Sequence, residues 1–69
     1  MTYRELTRKL RRLGCAFDRQ AGGSHEIWIN LYNHRRTSVP RHGSRDLATG
    51  MIHGIRRDLG ISRQEFDRA

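Results

Sequence analysis

At 69 residues the chain has room for one domain, and a domain so short buries only roughly 60% of the surface its unfolded chain exposes. Its hydrophobic content of 35% is low and holds no stretch near the roughly 20 apolar residues of a membrane span. One cysteine excludes an internal disulfide, and fourteen Lys and Arg against seven Asp and Glu leave a net charge of +7 that favours anionic partners.

The apolar residues are periodic, which indicates a folded chain rather than a disordered one. Thr2 to Leu13 reads as a helix. Thr2 and Glu5 have the spacing of a capping box, and Gly14 supplies the stop. Tyr3, Leu6, Leu10 and Leu13 form its apolar face, while Arg4, Arg8, Arg11 and Arg12 fall largely opposite.

Cys15 to Arg19 is a short strand candidate, followed by a turn at Ala21-Gly22-Gly23. Ser24 to Asn30 is the clearest strand. Its alternation puts His25, Ile27 and Ile29 on one face and Ser24, Glu26 and Trp28 on the other. Both faces carry large apolar groups, so the pattern leaves open which one meets the core. Thr37-Ser38-Val39 forms a third strand, ended by Pro40, which cannot donate to a ladder.

Arg41 to Asp46 is a polar loop. Leu47, Met51, Ile55 and Leu59, with Ile52 beside them, mark a second amphipathic helix ending near Gly60. Gly50 and Gly54 weaken it unless they permit close packing. Ser62 and Glu65 form a second capping box, with Ile61 and Phe66 as a hydrophobic staple, so a short final helix follows.

This order predicts an α+β fold: a three-stranded antiparallel meander with two helices on one face and a short C-terminal helix. A chain this short builds only two layers. The arrangement is the αβββα fold of double-stranded-RNA-binding domains, here as a single domain over residues 1–69.

Thirteen of the fourteen cations are Arg, whose planar fork matches phosphate oxygens and stacks on bases. Nucleic acid is therefore the favoured partner. The Arg4, Arg8, Arg11 and Arg12 face can equally be an ordinary solvated helix surface. Cys15, beside Ala16, reads as a small buried hydrophobe and not as a nucleophile. Trp28 reads as core. His34, His42 and His53 read as surface residues, and no second His or Cys joins any histidine at ligand spacing, so neither a metal nor another cofactor is expected. Met1 to Leu10 carries charges throughout and lacks the apolar stretch of a signal peptide, so a cytoplasmic protein is expected.

Gly22-Gly23-Ser24-His25-Glu26-Ile27-Trp28 puts a Gly-Ser-His turn at a strand entrance, with an aromatic three residues after the His. Arg4-Glu5-Leu6 opens the first helix, and Leu13-Gly14 precedes Phe17 and Arg19. Val39-Pro40 closes the third strand, with His42 just beyond. Leu47-Ala48-Thr49-Gly50-Met51-Ile52 and Leu59-Gly60-Ile61-Ser62 bracket the second helix. In this joint order the chain resembles the HicA family of toxin ribonucleases over nearly its whole length. It departs from the pattern at Ile29-Asn30-Leu31-Tyr32, where many relatives carry a His-Pro pair.

The resemblance implies a toxin that cleaves messenger RNA and is neutralised by a HicB-like antitoxin, which would cover His25 and the basic face. The catalytic histidine of the family falls on His25. The chemistry of the residues is compatible. Metal-independent RNA cleavage needs a base for the 2′-hydroxyl proton and cations for the phosphorane charge. Histidine suits the first, with an unperturbed pKa near 6.5. Arg4, Arg8, Arg11, Arg12 and Arg19 suit the second and the holding of RNA. Gly23 and Ser24 shape the turn. Backbone amides of Gly22 and Gly23 can approach a phosphate unobstructed, and Ser24 can orient His25 or bond a phosphate oxygen. Two other readings stand beside this one: a non-catalytic RNA-binding module of the same fold, and a subunit whose basic surface docks an acidic partner.

Overall fold

The computed structural model describes residues 1–69. Helix α1 (Tyr3–Arg12) starts at the expected capping box. The Thr2 side chain accepts from the Glu5 N–H at 3.3 Å, and Glu5 Oε1 accepts from the Thr2 N–H at 2.8 Å. Strands β1 (Cys15–Gln20), β2 (His25–Asn30) and β3 (Arg36–Pro40) follow as an antiparallel sheet in the order β1-β2-β3. Helix α2 (Thr49–Asp58) and the short α3 (Arg63–Arg68) complete the chain. Ser62 and Glu65 cap α3 reciprocally, as their spacing predicts. The fold is α+β with the expected αβββα order. No helix is long and apolar enough to cross a membrane.

The core lies between one face of the sheet and the helices. Leu6 and Leu10 of α1 meet Trp28 and Val39 of the sheet and Ile52 and Ile55 of α2. Ile61 and Phe66 are buried on either side of the Ser62 cap, closing the bottom of this cluster. Cys15 is buried here too, and burial pushes its thiol pKa up, away from the reactive thiolate.

Two details of α2 differ from the sequence pattern. The helix starts at Thr49, so Leu47 is buried by the incoming loop, where its N–H donates to the Met1 carbonyl at 2.8 Å. Met51 is 39% exposed, and Ile52 holds the core position instead. The stripe drifts because 3.6 residues per turn rotates a strict four-residue repeat off the face.

Gly50 and Gly54 do not serve close packing. A Cβ built on either meets nothing within 4 Å, and neither has the positive φ that favours glycine. Gly54→Ala is therefore expected to stabilise the protein by about 1 kcal/mol, the helix-propensity difference. An upward shift of the urea midpoint with unchanged slope checks this. A fall would mean that the position carries a constraint beyond helix propensity.

Candidate nucleic-acid interface and catalytic site

Sheet pairing decides which residues surround His25. Glu26, Trp28 and Asn30 of β2 are buried against the helices, so His25, Ile27 and Ile29 occupy the opposite, open face. His25 stands exposed at the first position of β2, paired with Pro40 of β3. Its N–H donates to the Gly22 carbonyl at 3.3 Å, and its carbonyl accepts from the Ala21 N–H at 2.9 Å. Gly23 sits inside this tight turn at φ +62, a conformation that costs any residue with a Cβ roughly 1–2 kcal/mol. The amides of Gly22, Gly23 and Ser24 find no acceptor within the chain. Three successive free donors around a left-handed residue thus lie directly before His25, the kind of backbone arrangement that can accept an anion.

Arg19 reaches the same face through an irregularity that alternation does not show. Phe17 pairs with Trp28, but Arg19 pairs with Ile27, so a bulge at Asp18 moves Arg19 to the open side. Phe17 stays on the helix side, edge-on to the Trp28 ring at 6.4 Å. Asp18 Oδ2 accepts from Arg19 Nη1 at 2.8 Å and from Arg36 Nε at 3.2 Å. Arg36 pairs with Ile29 and Ser38 with Ile27, which brings both to His25's face. Sequence reasoning missed Arg36 and Ser38. Their only signal is the register of β3 against β2, which a single chain pattern does not contain. The surface around His25 is open, with no enclosed cavity.

The four α1 arginines are placed differently. Arg4, Arg8, Arg11 and Arg12 are exposed on the helical layer, across the sheet from the His25 face. Arg4, Arg8 and Arg12 have no acidic partner. Arg11 lies 5.1 Å over the Trp28 ring, where its guanidinium covers the core aromatic. The structure thus groups Gly23, Ser24, His25 and Arg19, and it leaves the α1 ridge as a separate basic surface.

Behind the turn lies a buried carboxylate. Glu26 is 4% exposed. Its Oε1 accepts from Tyr3 Oη at 2.6 Å and from Trp28 Nε1 at 3.0 Å, while Oε2 lies 3.9 Å from Arg41 Nη1. Arg41 also stacks 5.5 Å over the Tyr3 ring, and its N–H donates to the Ser24 carbonyl at 2.8 Å. The network ties the start of α1, the His25 turn and the end of β3 together. His42 follows Arg41 directly, on the segment bonded to this turn.

Burial, then the hydrogen bond to Glu26 and its negative charge, push the Tyr3 pKa up to about 12 from 10.0. Because the folded value is the higher one, the folded state holds the phenol proton more tightly. Stability from this group is complete below pH 10.0 and is lost as pH rises towards about 12. Alkaline urea titrations are expected to show a fall over that window which Tyr3→Phe flattens. An identical fall in Tyr3→Phe would assign it to other groups.

A family model described as the HicA toxin of bacterial toxin–antitoxin systems matches residues 3–61, from the first residue of α1 to Ile61. No curated protein and no solved structure matches the chain.

Proposed function

Since this chain belongs to the HicA toxin family of bacterial toxin–antitoxin systems, with an antitoxin as its cognate partner, we propose that it is a metal-independent endoribonuclease that cleaves messenger RNA with His25 as its catalytic residue. The observation that supports this best is the exposed His25 beside three unpaired amides, with Arg19 on the same sheet face.

His25 takes the proton of a 2′-hydroxyl. The 2′-oxygen attacks the adjacent phosphorus, and the bond from phosphorus to the 5′-oxygen breaks. The 5′-oxygen takes a proton from solvent at this open surface. The phosphorane charge falls to the amides of Gly22, Gly23 and Ser24 and to Arg19. Ser24 can also donate its hydroxyl to a phosphate oxygen. The products are a 2′,3′-cyclic phosphate and a 5′-hydroxyl end. Arg4, Arg8, Arg11 and Arg12, across the sheet from His25, contact phosphates distant from the cut in a long RNA. A HicB-like antitoxin covers His25 and the basic face, and the toxin acts in the cytoplasm.

A long single-stranded RNA incubated with the protein in EDTA tests this. Cleavage leaving cyclic phosphate and 5′-hydroxyl ends is expected, and a 3′-hydroxyl at the cut would overturn the chemistry.

The separate α1 ridge favours a second reading, a non-catalytic RNA-binding module. Under either reading Arg8→Gln is expected to weaken RNA binding and to lower the salt slope of log K by about 0.7 per lost phosphate contact. An unchanged slope would show that α1 does not touch RNA. Binding without cleavage in every assay, ribosomes included, would favour the module.

A further inference from the structure

Gln20, the last residue of β1, has no role in the functions above, and its side chain folds back beneath the His25 turn. Its Nε2 lies 2.9 Å from the His25 carbonyl oxygen, 3.2 Å from that of Gly23 and 3.5 Å from that of Ala21. A primary amide has two N–H groups, so the two shorter contacts, to His25 and Gly23, are the ones it can satisfy together.

This strut has a geometric consequence. In a trans peptide the C=O and the following N–H point in opposite directions. No peptide bond in the chain is cis. Drawing the Gly23 carbonyl towards Gln20 therefore turns the Ser24 N–H away from it. The Ser24 amide is one of the three donors without an acceptor in the chain. The turn's backbone bonds run from the Ala21 N–H to the His25 carbonyl at 2.9 Å, from the Arg41 N–H to the Ser24 carbonyl at 2.8 Å and from the His25 N–H to the Gly22 carbonyl at 3.3 Å. They leave the Gly23–Ser24 peptide itself with no partner but Gln20, and glycine on its N-terminal side gives that peptide wide rotational freedom.

We propose that Gln20 is a positioning residue for the cleavage reaction: it holds the Gly23–Ser24 peptide so that the Gly22, Gly23 and Ser24 amides form a preorganised phosphate-oxyanion site beside His25. The proposal rests on the reading of His25 as the catalytic residue. The residue type follows from the task. The site needs two donors on an arm of this length, facing carbonyl oxygens. A glutamate has the same length, but its ionised carboxylate offers only acceptors to the same carbonyls.

The test uses Gln20→Glu and Gln20→Ala in the full chain. With RNA as substrate, kcat is expected to fall about 10²-fold in Gln20→Glu, the scale of losing one oxyanion donor, while KM moves little. A purely structural role would not affect phosphate binding at the turn alone. Inorganic phosphate is therefore titrated into ¹⁵N-labelled protein. Shifts of the Gly22, Gly23 and Ser24 amides are expected with Gln20 present and are expected to vanish in Gln20→Glu, with the Trp28 indole signal unmoved as the sign of an intact core. Phosphate shifts that survive Gln20→Glu, or an unchanged kcat, would overturn the proposal. The two readings fail separately: cleavage surviving His25→Ala overturns the catalytic histidine, whereas phosphate binding surviving Gln20→Glu overturns the strut.

Discussion

His25→Ala is expected to lower RNA cleavage by about 10²–10⁴-fold, the range a positioned acid–base group supplies, while RNA affinity changes little. The separation is possible because of where His25 sits. Its side chain is exposed on the open sheet face and takes no part in the core cluster. Its structural ties are made by backbone atoms, the N–H to Gly22 and the carbonyl to Ala21 and Gln20, and alanine keeps all of them. A surface change of this kind usually alters stability by no more than about 0.5 kcal/mol. Loss of cleavage in a protein that still unfolds at the same urea concentration is thus a chemical effect. RNA affinity should hold because the cations proposed to supply it, on α1 and at Arg19, are untouched. Cleavage at the original rate by His25→Ala would remove histidine catalysis from the account.

The largest structural effect is expected at Trp28. Trp28→Ala should cost about 3–5 kcal/mol, the range for deleting a large buried aromatic. Trp28 is fully buried and is the largest such side chain in the molecule. Its loss also removes the indole donor to Glu26, leaves Arg11 over a void and deprives Phe17 of its edge contact. A domain of 69 residues has a stability on the order of 3–10 kcal/mol, so the variant should be largely unfolded without denaturant. Trp28→Phe keeps most of the packing and should fold with a lowered midpoint. Circular dichroism and urea unfolding distinguish the outcomes. A Trp28→Ala protein with a native urea midpoint but weakened RNA binding would instead make the indole a base-stacking platform.

Buried Glu26 explains why this small fold carries a carboxylate in its core. An unpaired charge there would cost several kcal/mol, but two neutral donors share one of its oxygens and Arg41 stands near the other. Tyr3 and Glu26 are 23 residues apart, and neither residue type announces the other. The network is legible only after α1 has been laid on the sheet.

What the sequence by itself determined was local or periodic. The Thr2–Glu5 and Ser62–Glu65 boxes act within one turn of chain, the Leu6–Leu10 spacing selects one face of α1, and glycine marks the turn before His25. The motif order added the family, because it joins short signals over the whole chain. The tertiary structure decided what depends on pairing. With Ile27 and Ile29 facing Trp28 across β2, only the docking of α1 and α2 selected the buried side and so exposed His25. The bulge at Asp18 moved Arg19 to that side, register brought Arg36 and Ser38 there, and the fold-back of Gln20 placed its amide under the turn. The physical reason is the two-residue period of a strand: one inserted residue, or one choice of face, inverts the environment of every side chain that follows, and that choice is made by packing between distant elements.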